Sequence, residues 1–181
     1  MLDYKKFVAS KRAAFAGVGI QIEISAVHPL LMPFQRDIVR WACAKGRCAV
    51  FADTGLGKTY IQLEWARLMG KNTLIIAPLT VARQTVRMAK DIDLDVRYVR
   101  SQAQVTPDHS LWITNYEMLE HFDASQFGTV VLDESSILKA LDGKTRRLLT
   151  EMFVDTPYRL ACTATPAPND RTEIGNHAEF L

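Results

Sequence analysis

The sequence is poor in the features that mark exported, membrane-spanning or metal-cross-linked proteins. It has only three cysteines in 181 residues, and no apolar run approaches the roughly 20 residues needed to cross a bilayer. Its start, MLDYKKFVASKRAAF, lacks the uninterrupted apolar segment of a secretion signal. Cys43 and Cys48 are separated by four residues, but no cysteine or histidine pair follows to complete a zinc site. We therefore predict buried thiols in a reducing cytoplasm and no membrane partner.

The sequence also lacks a strong net charge, an internal repeat and a low-complexity linker. Because the net charge is only +2, a nucleic-acid partner has to be argued from local sites. Hydrophobic residues make up 48% of the chain, which is enough for a buried core. We predict an N-terminal extension over residues 1–28, with a helix over residues 4–15 and an extended GIQIEI segment. A single domain is expected over residues 29–181.

Short apolar segments alternate with segments of helical periodicity. Segments such as TLIIA and TVVL are apolar throughout, which is typical of parallel strands covered on both faces. The alternation predicts an α/β fold in which helices cover a central, mostly parallel sheet. Trp41 and Trp65 lie at helical spacing among apolar residues, so we predict that both belong to the core. The predicted strands cover residues 48–52, 73–77, 96–99, 111–114, 129–132 and 159–163.

The strongest local motif is AVFADTGLGKTYIQLEWA, in which an apolar strand, a glycine-containing loop and an amphipathic helix follow one another. Glycines in the loop allow backbone N–H groups to turn towards phosphate oxygens, and the helix adds its positive dipole end. Lys58 is predicted to reach the β- and γ-phosphates, and the Thr59 hydroxyl to ligate Mg²⁺. Ala52 replaces the first glycine of the usual P-loop pattern. The alternative to a phosphate-binding loop is a glycine-rich turn that only connects a core strand to a helix. The predicted ATP-binding residues of this loop are Thr54, Gly55, Leu56, Gly57, Lys58 and Thr59.

The segment TVVLDESS places two carboxylates directly after a buried strand. Ligands of open parallel sheets bind beyond the carboxyl ends of the strands, so we expect Asp133 and Glu134 to face the phosphate loop. Asp133 is suited to hold Mg²⁺, while Glu134 is suited to orient and deprotonate the attacking water. Glu134 and Lys58 are therefore the predicted catalytic residues. The alternative is that the carboxylates cap a helix that begins near Ser135.

In this order the motifs resemble those of the superfamily 2 helicases and translocases, specifically Snf-type DNA translocases and DEAD/DEAH-like phage helicases. DTGLGKT resembles their motif I, DESS stands at their motif II, and ACTATPAPND resembles their motif III. PFQRDIVRWA resembles their glutamine motif, which implies that Gln35 reads the adenine edge. IIAPLTVARQTV resembles motif Ia, and ITNYEML resembles the segment before motif II. The resemblance covers residues 30–181 and implies an N-terminal, three-layer RecA-like P-loop NTPase domain that uses ATP and Mg²⁺.

The resemblance also implies coupling and nucleic-acid residues. Motif II ends in Ser136, where the family has histidine or aspartate. Ser136 is expected to hydrogen-bond to Thr163 or Thr165 and so to couple the state of ATP to nucleic-acid binding. Positioning groups of this kind contact phosphates without reading bases, and duplex DNA is the favoured partner. For Arg83 the alternative is an exposed position on a solvated helix face. For Asn115 and Tyr116 the alternatives are core packing or turn formation. The implied nucleic-acid residues are Pro78, Thr80, Arg83, Asn115 and Tyr116.

The implied function is the ATP-binding lobe of a nucleic-acid-dependent ATPase, a DNA helicase or translocase. In the family, a second RecA-like domain in cis supplies an arginine finger, which contributes roughly 10³–10⁵ in rate. No motif known to supply that arginine occurs in these 181 residues, so we expect them to hydrolyse ATP hardly at all by themselves. The alternatives are a nucleotide-gated nucleic-acid-binding module without turnover, an RNA helicase lobe, and another P-loop class such as a small-molecule kinase.

Overall fold

The structure is a computed structural model that describes residues 17–139, 143–167 and 173–181. The helix expected over residues 4–15 and the end of the ACTATPAPND segment lie outside these ranges. Within them, six strands and five α-helices are connected by loops and short 3₁₀ helices. The strands are β1 (Arg47–Phe51), β2 (Thr73–Ala77), β3 (Arg97–Tyr98), β4 (Leu111–Asn115), β5 (Thr129–Asp133) and β6 (Tyr158–Thr163). The helices are α1 (Pro33–Lys45), α2 (Lys58–Met69), α3 (Leu79–Ala89), α4 (Lys144–Met152) and α5 (Glu173–Phe180).

All six strands pair in parallel in one sheet, in the order β1–β6–β5–β2–β4–β3. Phe51 at the end of β1 lies opposite Thr163 of β6, and Asp133 at the end of β5 lies opposite Cys162 of β6. The predicted α/β fold with a parallel sheet is confirmed. Each predicted strand overlaps an observed one, with ends that agree to within one residue.

The sheet separates two hydrophobic cores. Successive residues of a strand point to opposite faces, so Ile75 and Ala77 of β2 pack with α1, α2 and α3, whereas Leu74 and Ile76 pack with α4 and α5. Every residue of β2, β4 and β5 is buried, which explains why these strands are apolar without alternation. The second core also contains the aromatic side chains Trp112, Tyr116, Phe122, Phe127, Phe153 and Phe180.

Helix α2 begins and ends at glycines that adopt left-handed backbone conformations. Gly57 precedes it with φ 74°, and Gly70 follows it with φ 62°; such values strain any residue with a Cβ. The helix buries Trp65 completely, as the sequence predicts. The prediction that Trp41 is a core residue is wrong, because its side chain is 47% exposed. Helix α1 packs Val39 inwards, and Trp41 lies about 200° further around the helix.

The segment before α1 is attached to the domain. Backbone N–H groups of Val18 and Ile20 donate hydrogen bonds to the carbonyls of Lys45 and Cys43, at 3.1 and 2.8 Å. The expected extended GIQIEI segment therefore runs beside the end of α1 without joining the sheet. None of the helices in the described ranges is both long enough and apolar enough to span a membrane.

Candidate nucleotide-binding site

The phosphate loop and the acidic pair lie at the same edge of the sheet. Strand β1 leads from Phe51 into the loop, β5 ends at Asp133, and only β6 separates these two strands. Adjacent strands are about 4.8 Å apart, so the two strand ends are separated by about 10 Å. Burial raises the pKa of Asp133, and the positive charge of Lys58 acts in the opposite direction. The expected convergence at the carboxyl edge is thus present, although the roles of the residues stay predictions.

The backbone of the loop requires glycine at two positions. Gly55 has φ 85°, and no atom lies within 4 Å of the place where a Cβ would be. Gly57 has φ 74°, and a Cβ there would lie 2.3 Å from Nε2 of Gln35. Thr54 and Leu56 are exposed, and Thr59 is half-buried in the first turn of α2. Two N–H groups bond within the loop, that of Thr54 to Asp53 Oδ1 at 2.6 Å and that of Leu56 to the Asp53 carbonyl at 3.3 Å. The loop leads directly into the start of α2, and a helix N-terminus favours an anion.

The ammonium group of Lys58 is held within the curve of the loop. Its Nζ donates hydrogen bonds to the carbonyls of Ala52 and Asp53, at 2.8 and 3.2 Å. Ala52 has no positive φ, so the alanine in place of the usual glycine is not strained. The Ala52 N–H donates to the Thr163 carbonyl at 3.2 Å, which joins the loop to β6.

The carboxyl group of Asp133 fits a magnesium ligand. The residue is 6% exposed, its Oδ1 accepts from the Glu134 N–H at 3.0 Å, and its Oδ2 is buried without a hydrogen-bond partner in the described residues. Burial raises the pKa of Asp133 above its ordinary 3.8, while the nearby Gln62 amide, the Glu134 N–H and the Lys58 charge act in the opposite direction. A buried carboxylate oxygen without a donor is unfavourable, and Mg²⁺ is a cation that prefers such oxygens.

A site built from protein groups alone does not occur here. Among the described residues, no group of three or more His, Cys, Asp and Glu side chains is placed to hold a metal ion. Mg²⁺ usually keeps water ligands and uses one or two carboxylates together with substrate phosphates. Asp133 and Thr59, combined with a bound triphosphate, match that mode of binding.

Glu134 is held by two hydroxyl groups. Its Oε1 accepts from Ser136 Oγ at 2.7 Å and from Thr163 Oγ1 at 2.8 Å, and the Thr165 N–H donates to Thr163 Oγ1 at 3.1 Å. The three residues expected to couple ATP and nucleic acid are therefore joined by hydrogen bonds. Ser136 and Thr163 are connected through the Glu134 carboxylate, and Thr165 is connected through Thr163. Glu134 has φ 55°, a left-handed conformation that costs a non-glycine residue of the order of 1–3 kcal/mol and is found at functional sites.

Gln35 joins the start of α1 to the phosphate loop. Its Nε2 donates to the Leu56 carbonyl at 3.0 Å, and its Oε1 accepts from the Met32 N–H at 2.9 Å. The side chain is 6% exposed. These bonds give Gln35 a positioning role towards the loop, and recognition of adenine by this residue stays a prediction.

Comparison with known proteins gives the fold a name. No family model matches the chain. The Drosophila melanogaster "SWI/SNF-related matrix-associated actin-dependent regulator of chromatin subfamily A-like protein 1" is 26% identical over 163 residues, which cover 83% of this chain and 22% of that protein. The structure of the "Sulfolobus solfataricus SWI2/SNF2 ATPase core in complex with dsDNA" superposes with a TM-score of 0.73 and 21% identity over 90% of this chain. The chain has the RecA-like fold of the superfamily 2 helicases.

A second helicase structure supports the same fold. The UvsW helicase from bacteriophage T4 superposes with a TM-score of 0.66 and 16% identity, and the match covers 99% of this chain. The chain spans 22% of the Drosophila protein, 38% of the Sulfolobus ATPase core and 66% of the UvsW chain. The similarity thus concerns one part of larger proteins.

Within this helicase fold, the residues expected to contact nucleic acid fall into two groups. Pro78, Thr80 and Arg83 lie at the start of α3, and the last two are exposed. Asn115 is 4% exposed and Tyr116 is 8% exposed, with the Tyr116 hydroxyl donating to the backbone carbonyl of Asp133 at 2.8 Å. For these two side chains the geometry favours the packing role that the sequence left open.

Two polar side chains beside Asp133 were not expected from the sequence. Gln62 of α2 is fully buried, and its amide lowers the pKa of Asp133. The hydroxyl of Tyr116 supports the end of β5 from the other core. A polar residue within the apolar stripe of α2 is the only sequence signal for Gln62, and no signal identifies the Tyr116 contact.

Proposed function

We propose that the chain is the ATP-binding lobe of a nucleic-acid-dependent ATPase, a helicase or translocase that moves on DNA. The observation that carries this proposal is that Lys58, the glycine loop and the Asp133–Glu134 pair lie at one edge of the sheet. At that edge Oδ2 of Asp133 is buried without a hydrogen-bond partner among the described residues. The fold of the SWI2/SNF2 ATPase core, described as bound to double-stranded DNA, supports the choice of duplex DNA. Sequence similarity to the SWI/SNF-related protein supports the same class.

The loop would hold the triphosphate of ATP. Lys58 exchanges its hydrogen bonds to the Ala52 and Asp53 carbonyls for bonds to phosphate oxygens, which are stronger because the acceptor is charged. Backbone N–H groups around Gly55 and Gly57 and the N-terminus of α2 stabilise the same anion. Mg²⁺, when bound by Asp133 and Thr59, supplies neutralisation of the phosphate charge.

Glu134 would act as the base. Its Oε1 is occupied by the Ser136 and Thr163 hydroxyls, whereas its other oxygen has no hydrogen-bond partner in the described part of the chain. That second oxygen is available to accept a proton from water as the water oxygen attacks the γ-phosphorus and the bond to ADP breaks. The two hydroxyls fix the orientation of the carboxylate, which positioned catalysis of this kind requires.

We further propose that a second RecA-like domain in cis supplies the arginine finger, because none of the arginines of this chain lies in a motif known for that role. The three cysteines are all free and buried, which supports a reducing compartment such as the cytoplasm. Single-stranded DNA and RNA are the competing tracks. A nucleotide-gated binding module without turnover is the competing function.

The test is an ATPase assay on the uninterrupted gene product, with duplex DNA, single-stranded DNA and RNA compared as activators. We expect duplex DNA to stimulate turnover most. Lys58→Ala is expected to abolish turnover and weaken ATP binding, while Glu134→Gln abolishes turnover but retains ATP binding. Lys90→Ala and Glu151→Gln change exposed residues of the same types and serve as matched controls. Full turnover by Glu134→Gln would refute the assignment of the base, and DNA binding without turnover in the unmodified protein would support the binding module instead.

A further inference from the structure

Helix α5 carries a buried histidine on the face that packs against the second core. His177 is 1% exposed and Phe180, one turn further along, is fully buried, whereas the two residues between them are exposed. The Phe180 carbonyl accepts from Arg159 Nη1 of β6 at 2.7 Å, which fixes the end of the helix on the sheet. A buried imidazole needs hydrogen-bond partners, because a polar group without one is unfavourable in an apolar core.

The imidazole lies between the ends of the two strands that flank β6. Its Nε2 and the Ser135 Oγ are joined by a hydrogen bond of 3.1 Å, and Ser135 directly follows Glu134 beyond the end of β5. The imidazole also meets the Phe51 ring edge-on, with centroids 5.2 Å apart and an interplanar angle of 82°. Phe51 is the last residue of β1 and leads into the phosphate loop. One side chain of α5 therefore contacts both the turn after Glu134 and the strand that enters the loop.

The preceding residue of α5 holds the other end of the same turn. Asn176 Nδ2 donates to the Leu138 carbonyl at 3.2 Å, and its Oδ1 accepts from Arg146 Nη1 of α4 at 2.6 Å. The turn is one 3₁₀ helix (Ser135–Lys139), so α5 is attached near both of its ends. Hydrogen bonds within a 3₁₀ helix have poor geometry, and the contacts from α5 therefore help to fix where this turn lies.

Ser135 is the single residue between the proposed base and one of the hydroxyls that orient it. Glu134 accepts from Ser136 Oγ at 2.7 Å and has φ 55°, a conformation that persists only where surrounding contacts enforce it. Ser135 is fully buried, and its bond to His177 restrains the backbone between Glu134 and Ser136. Loss of that bond would let the turn relax and would move the carboxylate away from the position that proton transfer requires.

We infer that His177 is a positioning residue of the proposed ATPase and acts on Glu134 through Ser135. The inference rests on the proposed function and adds α5 to the elements that build the site. His177 lies in none of the helicase-like motifs, and only the fold brings it to Ser135, 42 positions away. Neither residue belongs to those proposed to hold the triphosphate or Mg²⁺. Loss of their hydrogen bond is therefore expected to lower kcat and to leave ATP affinity unchanged.

The experiment is a double-mutant cycle in the full gene product, assayed for ATP turnover with its nucleic-acid activator. His177→Phe keeps an aromatic ring against Phe51 and deletes the hydrogen bond, while Ser135→Ala removes the other partner. Each is expected to lower kcat about three- to tenfold, the effect of one hydrogen bond, and to change KM for ATP by less than about twofold. Because both changes delete the same bond, the double variant is expected to lose no more than either single variant.

Two further variants separate the hydrogen bond from packing. His177→Gln is expected to recover most of kcat, since an amide can donate to or accept from the serine hydroxyl whichever imidazole tautomer is present. His121→Phe makes the same change at an exposed histidine and is expected to leave kcat unchanged. Thermal unfolding shows which variants are folded. If His177→Phe is not, Ser135→Ala decides, because an unchanged kcat in that variant refutes the positioning role and a lowered kcat at unchanged KM supports it.

The outcomes distinguish the positioning role from the function on which it rests. If the unmodified gene product shows no nucleic-acid-dependent turnover, both fail. If Glu134→Gln abolishes turnover while His177→Phe and Ser135→Ala retain full kcat, the positioning role is refuted and the function stands. Losses that multiply in the double variant would also refute it, because they would show that the two residues act independently. A rise in KM at unchanged kcat would overturn it as well, since the effect would then lie in nucleotide binding.

Discussion

The hydroxyl of Thr163 donates a hydrogen bond of 2.8 Å to Oε1 of Glu134. Thr163 is the last residue of β6, and Glu134 immediately follows β5, so the bond joins two neighbouring strand ends. Ser136 donates to the same oxygen from the other side. Together with the left-handed backbone of Glu134, these bonds fix the direction in which the proposed base presents its carboxylate.

Removing either hydroxyl is therefore expected to lower kcat without a comparable change in ATP affinity. Thr163→Val keeps the volume of a fully buried side chain and deletes its hydroxyl, and Ser136→Ala deletes the hydroxyl of the other donor. Loss of a hydrogen bond to a charged group is worth about 1.5–3 kcal/mol, so kcat is expected to fall roughly 10- to 100-fold in each variant. Steady-state kinetics of the full gene product with its nucleic-acid activator measure the effect. Thr163→Ser is the control and should retain most of the activity.

Asp133→Asn is expected to raise stability while it removes magnesium-dependent nucleotide binding. Burial raises the pKa of this carboxyl, so its ionisation opposes folding above the raised pKa. The destabilisation caused by the ionised carboxylate declines as the pH falls through that raised pKa, and it is absent below the ordinary pKa of 3.8. The melting temperature of Asp133→Asn should exceed that of the unmodified chain by a few °C at pH 7, since about 1 kcal/mol corresponds to about 2–4 °C at this size. A lower melting temperature of Asp133→Asn than of the unmodified chain at pH 7 would contradict the prediction that the ionised carboxylate destabilises the fold.

Gly57→Ala is expected to destabilise the loop more than Gly55→Ala does. Both positions have a positive φ, but only at Gly57 would the new Cβ meet a side chain, the Gln35 amide at 2.3 Å. That amide is bound at both its oxygen and its nitrogen, so it cannot move without losing a hydrogen bond. We expect Gly55→Ala to cost about 1–2 kcal/mol from the backbone alone, and Gly57→Ala to cost at least 1 kcal/mol more. Urea unfolding measures both, and equal losses would show that the contact with Gln35 is unimportant.

The three thiols are expected to be unreactive until the protein unfolds. Burial raises the pKa of Cys43 and of Cys48 to about 12 and that of Cys162 well above its usual value. Because the thiolate is the reactive form, a disulfide reagent at pH 8 should modify none of them in the native chain. All three should react in urea. Rapid modification of any one without denaturant would contradict the packing of the core that contains all three.

Phosphate release by these 181 residues alone is expected to be barely above background, even with DNA present. The proposed arginine finger accounts for roughly 10³–10⁵ in rate and is assigned to another domain. Binding of a fluorescent ATP analogue by the same sample shows that the nucleotide site is intact. Robust DNA-stimulated turnover by this chain would require an arginine within it to serve as the finger.

The sequence predicted the parts of the fold that depend on local patterns. Uniformly apolar strands such as TLIIA predicted a sheet covered on both faces, and the Gly57–Lys58 step predicted where α2 begins. The side of α1 that faces the sheet depends on tertiary packing, and the prediction for Trp41 was wrong for that reason. The same applies to the inward direction of Tyr116, since neither can be obtained from residue spacing.

The details of the candidate site were less accessible to sequence reasoning. A shared acceptor for Ser136 and Thr163 depends on the register of β5 against β6, which brings Glu134 and Thr163, 29 positions apart, into contact. The positive φ of Glu134 has no residue-type signal, because glutamate rarely adopts it.

Asn115 and Tyr116 are consecutive residues whose side chains serve different sides of the molecule. The Oδ1 of Asn115 accepts from the Tyr98 hydroxyl, whereas the Tyr116 hydroxyl donates to the backbone carbonyl of Asp133. A single peptide unit therefore separates Asn115, one of the residues expected from the sequence to contact nucleic acid, from the side chain that bonds to the residue proposed to hold the metal. If nucleic acid shifts the end of β4, the Tyr116 hydrogen bond would carry that shift to the backbone at the end of β5, where the proposed magnesium ligand lies.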